Sequence, residues 1–492
     1  MSPKVYAPNI HVFAFILQTT EEKEKDWLWQ TCDQIIHKVL HENFNLMQWL
    51  DLEKEPDNPT VSLIKADEQT EVAPIEGAVT FDNSCNNSST NSSKISIHGF
   101  AYPLRLYDSY GLWFNLHRPE QENCQKTDDV DIQLLRQLNP DNCLLLNGNH
   151  NSHQNFLGET LIITAWLSSE QDPQNHEALK ELADECLKAF FPQDYNIPPF
   201  ARSATLFGSS IFEYGLFTQL TNYRHILVWF FSYTETEENF DSCQQELLDL
   251  FFFRAKVVKA FQQSRQVYQD ANQEYSKIEE EIQTLEKFGD EQLTAEELEQ
   301  LSKKLKTLPK TALDYTNLLR YLEAYKNTIA INARNYADRV QQIRGMIEDE
   351  DISFLEKFSL ENCADFQEQI QADLGYFHYG SSLLDKAIAS IRGRVAIDKA
   401  KSDRLAEEKK EIGERNLQIT ILAVGSAIGS AGIMASSYAL VTKEDPLLPP
   451  FSTPVPHRFS LSICYSLLFG VVLGMLIWGG DKIWQSYKNR QR

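Results

Sequence analysis

Four consecutive acidic residues in the helical half of this 492-residue chain offer closely spaced oxygen ligands. They are Glu348, Asp349, Glu350 and Asp351. Carboxylate oxygens are the ligands that hard divalent cations prefer, so this run is a candidate metal site. Acidic runs at helix ends are also commonly just solvated, and the sequence leaves both interpretations open.

No motif in the sequence is typical of an enzyme. There is no P-loop, HExxH, GxSxG or GxGxxG stretch, and no nucleophile stands at a local spacing that would pair it with a base. We therefore expect no catalytic residues and no cofactor, with a bound divalent cation left open.

A second group of polar residues lies in and just before an apolar segment near the C-terminal end. Hydroxyl and amide groups on one helix could line a narrow pore if several copies of that helix surrounded it. The pore-lining candidates are Asn416, Thr420, Ser426 and Ser430. Two GxxxG spacings would let helix backbones approach closely. The helix-packing candidates are Gly425, Gly429, Gly470 and Gly474. Close packing alone would also explain these small residues.

Two long uncharged segments, 417–441 and 461–478, predict transmembrane helices joined by an extracytoplasmic loop at 442–460. Basic residues stand close to the outer ends of the pair, including the basic tail at 479–492. Positive flanks of this kind face the cytoplasm. We therefore expect a two-pass integral membrane protein with both termini cytoplasmic and the lipid bilayer as a partner.

The overall charge limits which other classes of partner we expect. The chain has 70 acidic and 46 basic residues, a net charge of −24, which argues against a nucleic-acid partner. Its eight cysteines include no CxxC pair and suit a reducing compartment.

Residues 1–250 alternate short β-branched or aromatic runs with helical patterns, which predicts a cytosolic domain of α/β or α+β class. The predicted strands are 10–17, 60–65, 94–101, 112–116, 160–167, 204–207 and 224–233. The predicted helices are 23–43, 176–190 and 239–253. The Asn- and Ser-rich stretch 83–93 predicts a disordered loop.

A faint internal repeat pairs residues 9–117 with residues 157–233. Each copy has a strand, then a helix, then a Tyr-Gly-Leu turn, at 110–112 and at 214–216. Duplication would place two similar units side by side, and the cleft between them is where we expect a ligand. Chance similarity is the alternative.

Residues 251–416 carry helical spacing throughout and predict a long antiparallel coiled-coil stalk. Thr294 and Glu297 predict a capping box at one helix start, and Pro309 predicts a helix end. A third helical pattern begins near Asn362 and continues toward the first apolar segment, with Gly375, Gly380 and Gly393 as points where it could bend.

This arrangement resembles the CorA family of divalent-cation channels: an acidic α/β domain, long stalk helices, two C-terminal membrane helices and a basic tail. The resemblance implies a homo-oligomer whose first membrane helices line a pore. The Gly-Met-Asn signature of that family is absent here, and the nearest stretch is 432–435, Gly-Ile-Met-Ala. No selectivity-filter residue is therefore carried over.

Two functions follow as alternatives. The first is a CorA-like homo-oligomeric membrane protein, a cation channel or transporter gated by its acidic cytosolic domain. The second is a membrane-anchored coiled-coil scaffold or sensor whose α/β domain binds a partner or small ligand. The sequence identifies neither an ion nor a ligand.

Overall fold

The structure is a computed structural model that describes residues 2–18, 26–52, 60–65, 77–82, 95–146, 155–192, 195–286, 293–347 and 350–405, together with positions 421 and 425. The chain divides into two compact units. The first comprises Met1–Arg265 and Ala324–Ile370, and the second comprises Gln266–Glu323 and Gln371–Arg492.

The strands all belong to the first unit. In chain order, the described strands are β1 (Lys4–Leu17), β2 (Thr60–Ser62), β3 (Val79–Asp82), β4 (His98–Leu106), β5 (Ser109–His117), β6 (Gln121–Glu122), β7 (Gln125–Lys126), β8 (Val130–Asp131), β9 (Phe156–Leu167), β10 (Phe200–Leu206), β11 (Ser209–Tyr214) and β12 (His225–Phe231). Each of the seven predicted strands overlaps one of these.

The described helices lie in both units. They are α1 (Trp27–Leu40), α2 (Leu134–Leu138), α3 (His176–Phe190), α4 (Thr234–Ser242), α5 (Gln244–Glu286), α6 (Ala295–Met346), α7 (Ser353–Lys357) and α8 (Cys363–Leu405), with a π-helical turn at Phe358–Asn362. The α/β domain and the long helices predicted from the sequence are both present.

One mixed sheet organises the first unit. Within the described residues its strands follow the order β10-β11-β12-β9-β1-β5-β4-β2, with β3 pairing to β4 and β8 to β1. The central neighbours β1 and β9 are antiparallel, whereas β9 and β12 are parallel. The predicted repeat matches β1 with β9 and β5 with β11. However, β5 pairs directly with β1, whereas β12 lies between β9 and β11. The internal duplication stays a prediction.

The central strand β1 is buried on both faces. Its successive side chains point to opposite sides of the sheet, and each side is covered by other elements. Ile10 and Val12 belong to the core cluster that also contains the apolar faces of α1 and α3. His11 and Phe13 face the other way, and their rings contact Phe240 of α4 and Phe251 of α5. Helices therefore cover both sides of the sheet, and the second face carries the site described below.

The described part of the second unit is formed by segments of α5, α6 and α8. Tyr315 is fully buried and donates a hydrogen bond from its hydroxyl to the carbonyl oxygen of Phe377, at 2.7 Å. Gly380 of α8 lies against Tyr275 and Tyr315, where an added Cβ would meet ring and hydroxyl atoms at 2.7 Å. This glycine permits close helix packing, and it lies within a continuous helix rather than at the predicted bend.

The start of α6 confirms one prediction about the long helices, and its course corrects another. Thr294 and Glu297 form the expected capping box, with the Thr294 amide donating to Glu297 Oε2 at 2.8 Å and the Glu297 amide donating to Thr294 Oγ1 at 3.3 Å. The prediction that Pro309 ends a helix is wrong, because α6 continues through it to Met346. Packing along the helix outweighs the loss of one backbone hydrogen bond.

The prediction of two C-terminal transmembrane helices requires correction. Among the helices that the structure describes, none combines the length and the apolar character needed to cross a bilayer. The two-pass fold and the membrane localisation with both termini cytoplasmic are therefore not supported. The predicted spans 417–441 and 461–478 lie outside the described residues except for Ile421 and Gly425, which are helical.

A membrane span requires a continuous apolar helix. The helix described over Cys363–Leu405 does not meet that requirement, because charged residues recur along it. The predicted loop 442–460, the tail 479–492 and the predicted disordered loop 83–93 all lie outside the described residues. Self-association stays a prediction.

Candidate functional site

A cavity of about 390 Å³ lies over the second face of the sheet, within the first unit. Residues of β1, β5 and β9 line it from the sheet, and residues of α4 and the first residue of α5 line it from the opposite side. It therefore spans the central β1–β9 pair, where the two halves of the predicted repeat meet. Its volume falls within the roughly 300–1,000 Å³ typical of small-molecule sites.

His11 is a buried polar group of this cavity, with only 4% of its surface exposed. The indole Nε1–H of Trp113 donates to His11 Nδ1 at 3.2 Å, and Asn115 Nδ2 lies at the same distance from that nitrogen. Burial, followed by the charge of His117, lowers the pKa of His11 to about 3. The ring is therefore neutral, and because Nδ1 accepts, its one proton is on Nε2.

The Nε2–H group of His11 is buried and has no hydrogen-bond partner among the described residues. Buried polar groups are nearly always paired, because leaving one unpaired costs about 1–3 kcal/mol. A ligand with an acceptor atom would remove that cost. Arg118 of the same lining has a second buried nitrogen, Nε, without a partner among the described residues.

Two asparagines, Asn9 and Asn115, extend the polar lining beside His11. Asn115 donates from Nδ2 to Asn9 Oδ1 and to the carbonyl oxygen of Ile10. His117 Nδ1 lies 2.7 Å from Asn115 Oδ1, which can only accept, so His117 donates there. Burial, followed by the charge of His98, lowers the pKa of His117 to about 4, so this ring is also neutral at pH 7.

Three carboxylates line the cavity nearer to solvent: Glu120, which follows β5, and Glu237 and Asp241 of α4. Glu120 Oε1 accepts a 2.5 Å hydrogen bond from the indole of Trp166. Burial, followed by the charges of Glu120 and Asp241, raises the pKa of Glu237 to about 7. Burial also raises the pKa of Asp241, although a hydrogen bond from Gln244 opposes this. This part of the cavity therefore has an excess of negative charge.

The backbone of β1 is irregular where it borders the cavity. The pairing of β1 with β9 shifts between Tyr6 and Asn9, and Ala7 in that interval has a φ of 43°. A left-handed conformation costs an alanine energy, and bulges of this kind occur next to functional sites. Here the bulge lies beside Asn9, which lines the same cavity.

A buried ionic network lies elsewhere on the same face of the sheet and joins it to α5. Glu213 of β11 accepts from Arg254 Nη2 at 2.7 Å and from Arg202 Nε at 2.6 Å, and His225 Nε2 lies 3.2 Å from it. Despite the opposing effect of burial, these partners hold the pKa of Glu213 well below its usual range. Arg254 also donates to the hydroxyl of Tyr223 at 2.9 Å. The network fixes the first part of α5 to β11 and β12.

The sequence-predicted metal candidates are only partly described. Glu348 and Asp349 lie outside the described residues. Asp351 is exposed and accepts from the amide of Ser353, the first residue of α7, at 2.9 Å. Within the described parts of the chain, no group of three His, Cys, Asp or Glu residues is placed to hold a metal ion. Metal binding by the run Glu348–Asp351 stays a prediction.

The pore-lining and helix-packing candidates are almost all outside the described residues. These are Asn416, Thr420, Ser426, Ser430, Gly429, Gly470 and Gly474. Gly425 is described and helical, and no described atom lies within 4 Å of the position its Cβ would take. Their roles stay predictions.

Sequence reasoning missed the cavity residues, although the sequence carries signals for them. Asn9 and His11 alternate on one face of an otherwise apolar strand, and Asn115 and His117 do the same in β5. In α4, Glu237 and Asp241 are four residues apart and so share a helix face. Polar residues at strand or helix spacing within apolar elements indicate a shared polar site.

Comparison with known proteins assigns no family. No protein-family profile matches the chain, and no curated protein matches it. Among solved structures, the chain has a likeness to one described as the structure of the full-length CmaX protein, at 15% identity, covering 66% of this chain and 88% of that chain with a TM-score of 0.18. The resemblance to the CorA family stays a prediction from the sequence.

Proposed function

We propose that this protein is a ligand-responsive scaffold whose α/β unit binds a small molecule in the cavity between the sheet and α4. Ligand binding then stabilises the position of α4, and the long helix α5 carries that change along the chain. The observation that carries the proposal is the buried, unpartnered Nε2–H of His11 in a cavity of about 390 Å³.

The connection between the cavity and α5 is short. Glu237, Phe240 and Asp241 of α4 line the cavity, Cys243 alone separates the two helices, and Gln244 at the start of α5 lines the cavity as well. The buried Glu213–Arg254 pair then holds α5 about three turns further along. A shift of α4 would therefore act on a helix that is fixed to the sheet at a second point.

The channel implied by the CorA resemblance needs membrane-spanning helices, and none of the described helices qualifies. The proposal therefore rests on the α/β unit. The proposal corresponds to the second function expected from the sequence, a scaffold or sensor whose α/β domain binds a small ligand, but it does not include the membrane anchor.

A thermal-shift panel on the full chain tests whether the cavity binds small molecules. The probes are alkylamines, alkylcarboxylates, neutral sugars and inorganic phosphate, each compared with a salt control of equal ionic strength. We expect one class to raise the Tm of the wild-type protein, since a ligand that binds the native state stabilises it.

A matched pair of variants locates the binding. Gln244→Trp places an indole at the cavity border, whereas Gln245→Trp places the same group at an exposed neighbour that does not line the cavity. The Tm increase should be lost in Gln244→Trp and kept in Gln245→Trp. No increase with any class, or an equal increase in both variants, would contradict the proposed function.

A further inference from the structure

We infer that the ligand of this cavity is a small organic cation, an aliphatic ammonium compound that also carries an oxygen acceptor. This inference rests on the ligand-binding function proposed above and adds the chemical class. It follows from the distribution of charge, aromatic rings and hydrogen-bond donors around the cavity.

The charge of the lining is the first observation. Glu120, Glu237 and Asp241 line the cavity, and Arg118 is the one Lys or Arg side chain among its described lining residues. Glu237 and Asp241 stand at i and i+4 of α4, a spacing at which like charges repel. A ligand cation between them would replace that repulsion with two charge-assisted hydrogen bonds.

Aromatic rings make up the second observation. Phe231, Phe240 and Trp166 line the same part of the cavity as the carboxylates, with 6.3 Å between the Phe231 and Phe240 ring centroids and 5.6 Å between those of Trp166 and Phe231. Aromatic faces attract organic cations and pack against alkyl chains. Carboxylates combined with aromatic rings are therefore suited to an ammonium group with a carbon body.

The lining is poorly suited to the competing ligand classes. Hard metal ions need several oxygen ligands around one point, and no such group of three His, Cys, Asp or Glu exists among the described residues. An anion would meet three carboxylates and a single arginine, Arg118, among the described lining residues. It would also find His11 and His117 uncharged, because burial lowers the pKa values of both rings.

The depth of the cavity sets the order of groups along the ligand. Asp241 is exposed at the solvent side, whereas His11 is buried and presents an unpartnered Nε2–H. The ammonium group therefore lies toward α4, and an oxygen acceptor such as a hydroxyl lies toward His11. A short alkyl chain between the two would pack against the aromatic rings.

Isothermal titration of the full chain with three probes of nearly equal size tests the class. Butylamine is a cation at pH 7.5, butyrate is an anion and butan-1-ol is neutral, so the three differ mainly in charge. We expect butylamine to bind more tightly than both others. Tighter or equal binding of butyrate or butan-1-ol, or no binding of butylamine, would overturn the inference.

Two carboxylate variants connect that binding to α4. Glu237→Gln removes one cavity carboxylate and should weaken butylamine binding about tenfold, the loss expected for a hydrogen bond to a charged group. Glu235→Gln changes an exposed acid of the same helix that does not line the cavity, and should leave the affinity unchanged. Equal effects of the two variants would overturn the inference.

A second pair of probes tests the acceptor. Aminobutanol and pentylamine have the same number of heavy atoms, but only aminobutanol can accept a hydrogen bond from His11 Nε2–H. Aminobutanol should bind more tightly, and equal or weaker binding would remove the acceptor from the inferred ligand. Failure of all amines while another class in the thermal-shift panel binds would overturn the cation and leave the proposed function standing.

Discussion

Replacing Glu237 by glutamine should make the ligand-free protein more stable while weakening its ligand binding. Glu237 lines the cavity close to other acids, and burial together with those charges raises its pKa to about 7 from an ordinary value of 4.5. Its ionised form is therefore less favourable in the folded protein than in the unfolded chain. Glutamine has a similar shape and no charge to repel.

The direction of the pH dependence follows from the raised pKa. Below about pH 4 the carboxyl is protonated in both folded and unfolded chains, so the charge adds no cost. Between pH 4.5 and 7 the unfolded chain ionises first, and stability falls as pH rises. Above the folded pKa both forms are ionised and the cost is at its full value. The advantage of Glu237→Gln should therefore be absent near pH 4 and greatest near pH 8.

The size of the effect can be worked from the same shift. Each pKa unit corresponds to about 1.4 kcal/mol, so moving from 4.5 to about 7 gives at most about 3.5 kcal/mol. Solvent screening of this partly exposed side chain reduces that to about 1–2 kcal/mol. For a unit of this size, that corresponds to a Tm increase of about 1.5–3 °C.

Differential scanning calorimetry of the wild-type protein, Glu237→Gln and Glu235→Gln at several pH values would measure this. Glu235→Gln is the control, because Glu235 is exposed on the same helix and outside the cavity lining. Saturating butylamine should narrow the difference between wild type and Glu237→Gln at pH 8, since the ammonium group neutralises the carboxylate. A Tm difference that is independent of pH, or equally large in Glu235→Gln, would refute the reasoning.

Two further predictions concern the packing of the helices and the ionic network. Gly380→Ala should destabilise by about 1–3 kcal/mol because its Cβ would lie 2.7 Å from side-chain atoms of Tyr275 and Tyr315. Gly375→Ala should stabilise by about 0.5–1 kcal/mol, because no atom of a packed neighbour among the described residues lies within 4 Å of its Cβ position. Urea unfolding measures both, and changes of the same sign would contradict the packing. Arg254→Met should cost about 3–5 kcal/mol by leaving buried Glu213 short of a partner, and adding Glu213→Gln should recover part of that loss. Additive losses in the double variant would contradict the coupling.

The sequence predicted the elements of the fold better than it predicted their connections. Alternation and β-branched runs identified the strands around β1 and β9, and the helix at 176–190 was predicted with the bounds that α3 has. It missed β11, because its Tyr-Gly-Leu stretch was interpreted as a turn. In the structure β11 reaches Tyr214, and Gly215 has a φ of 110° immediately after it.

The sequence shows the polar pairs of β1 and β5, but their meeting in one site could not be predicted because it depends on strand order. Asn9 and Asn115 are distant in sequence and meet only because β5 pairs with β1. Glu237 joins them only because α4 lies over that face of the sheet. The cavity was missed, whereas the transmembrane helices were predicted and are not supported. Their apolar composition was clear, but composition alone does not establish a membrane-spanning helix.

Amide hydrogen exchange of the full chain, with and without saturating butylamine, tests the central claim most directly. Binding in the cavity should slow exchange across α4 and the first turns of α5, because the ligand contacts Glu237 and Asp241 and stabilises that segment. The slowing should be absent with butyrate and lost in Gln244→Trp. Unchanged exchange in α4 while butylamine is bound would contradict the account of a ligand-responsive scaffold.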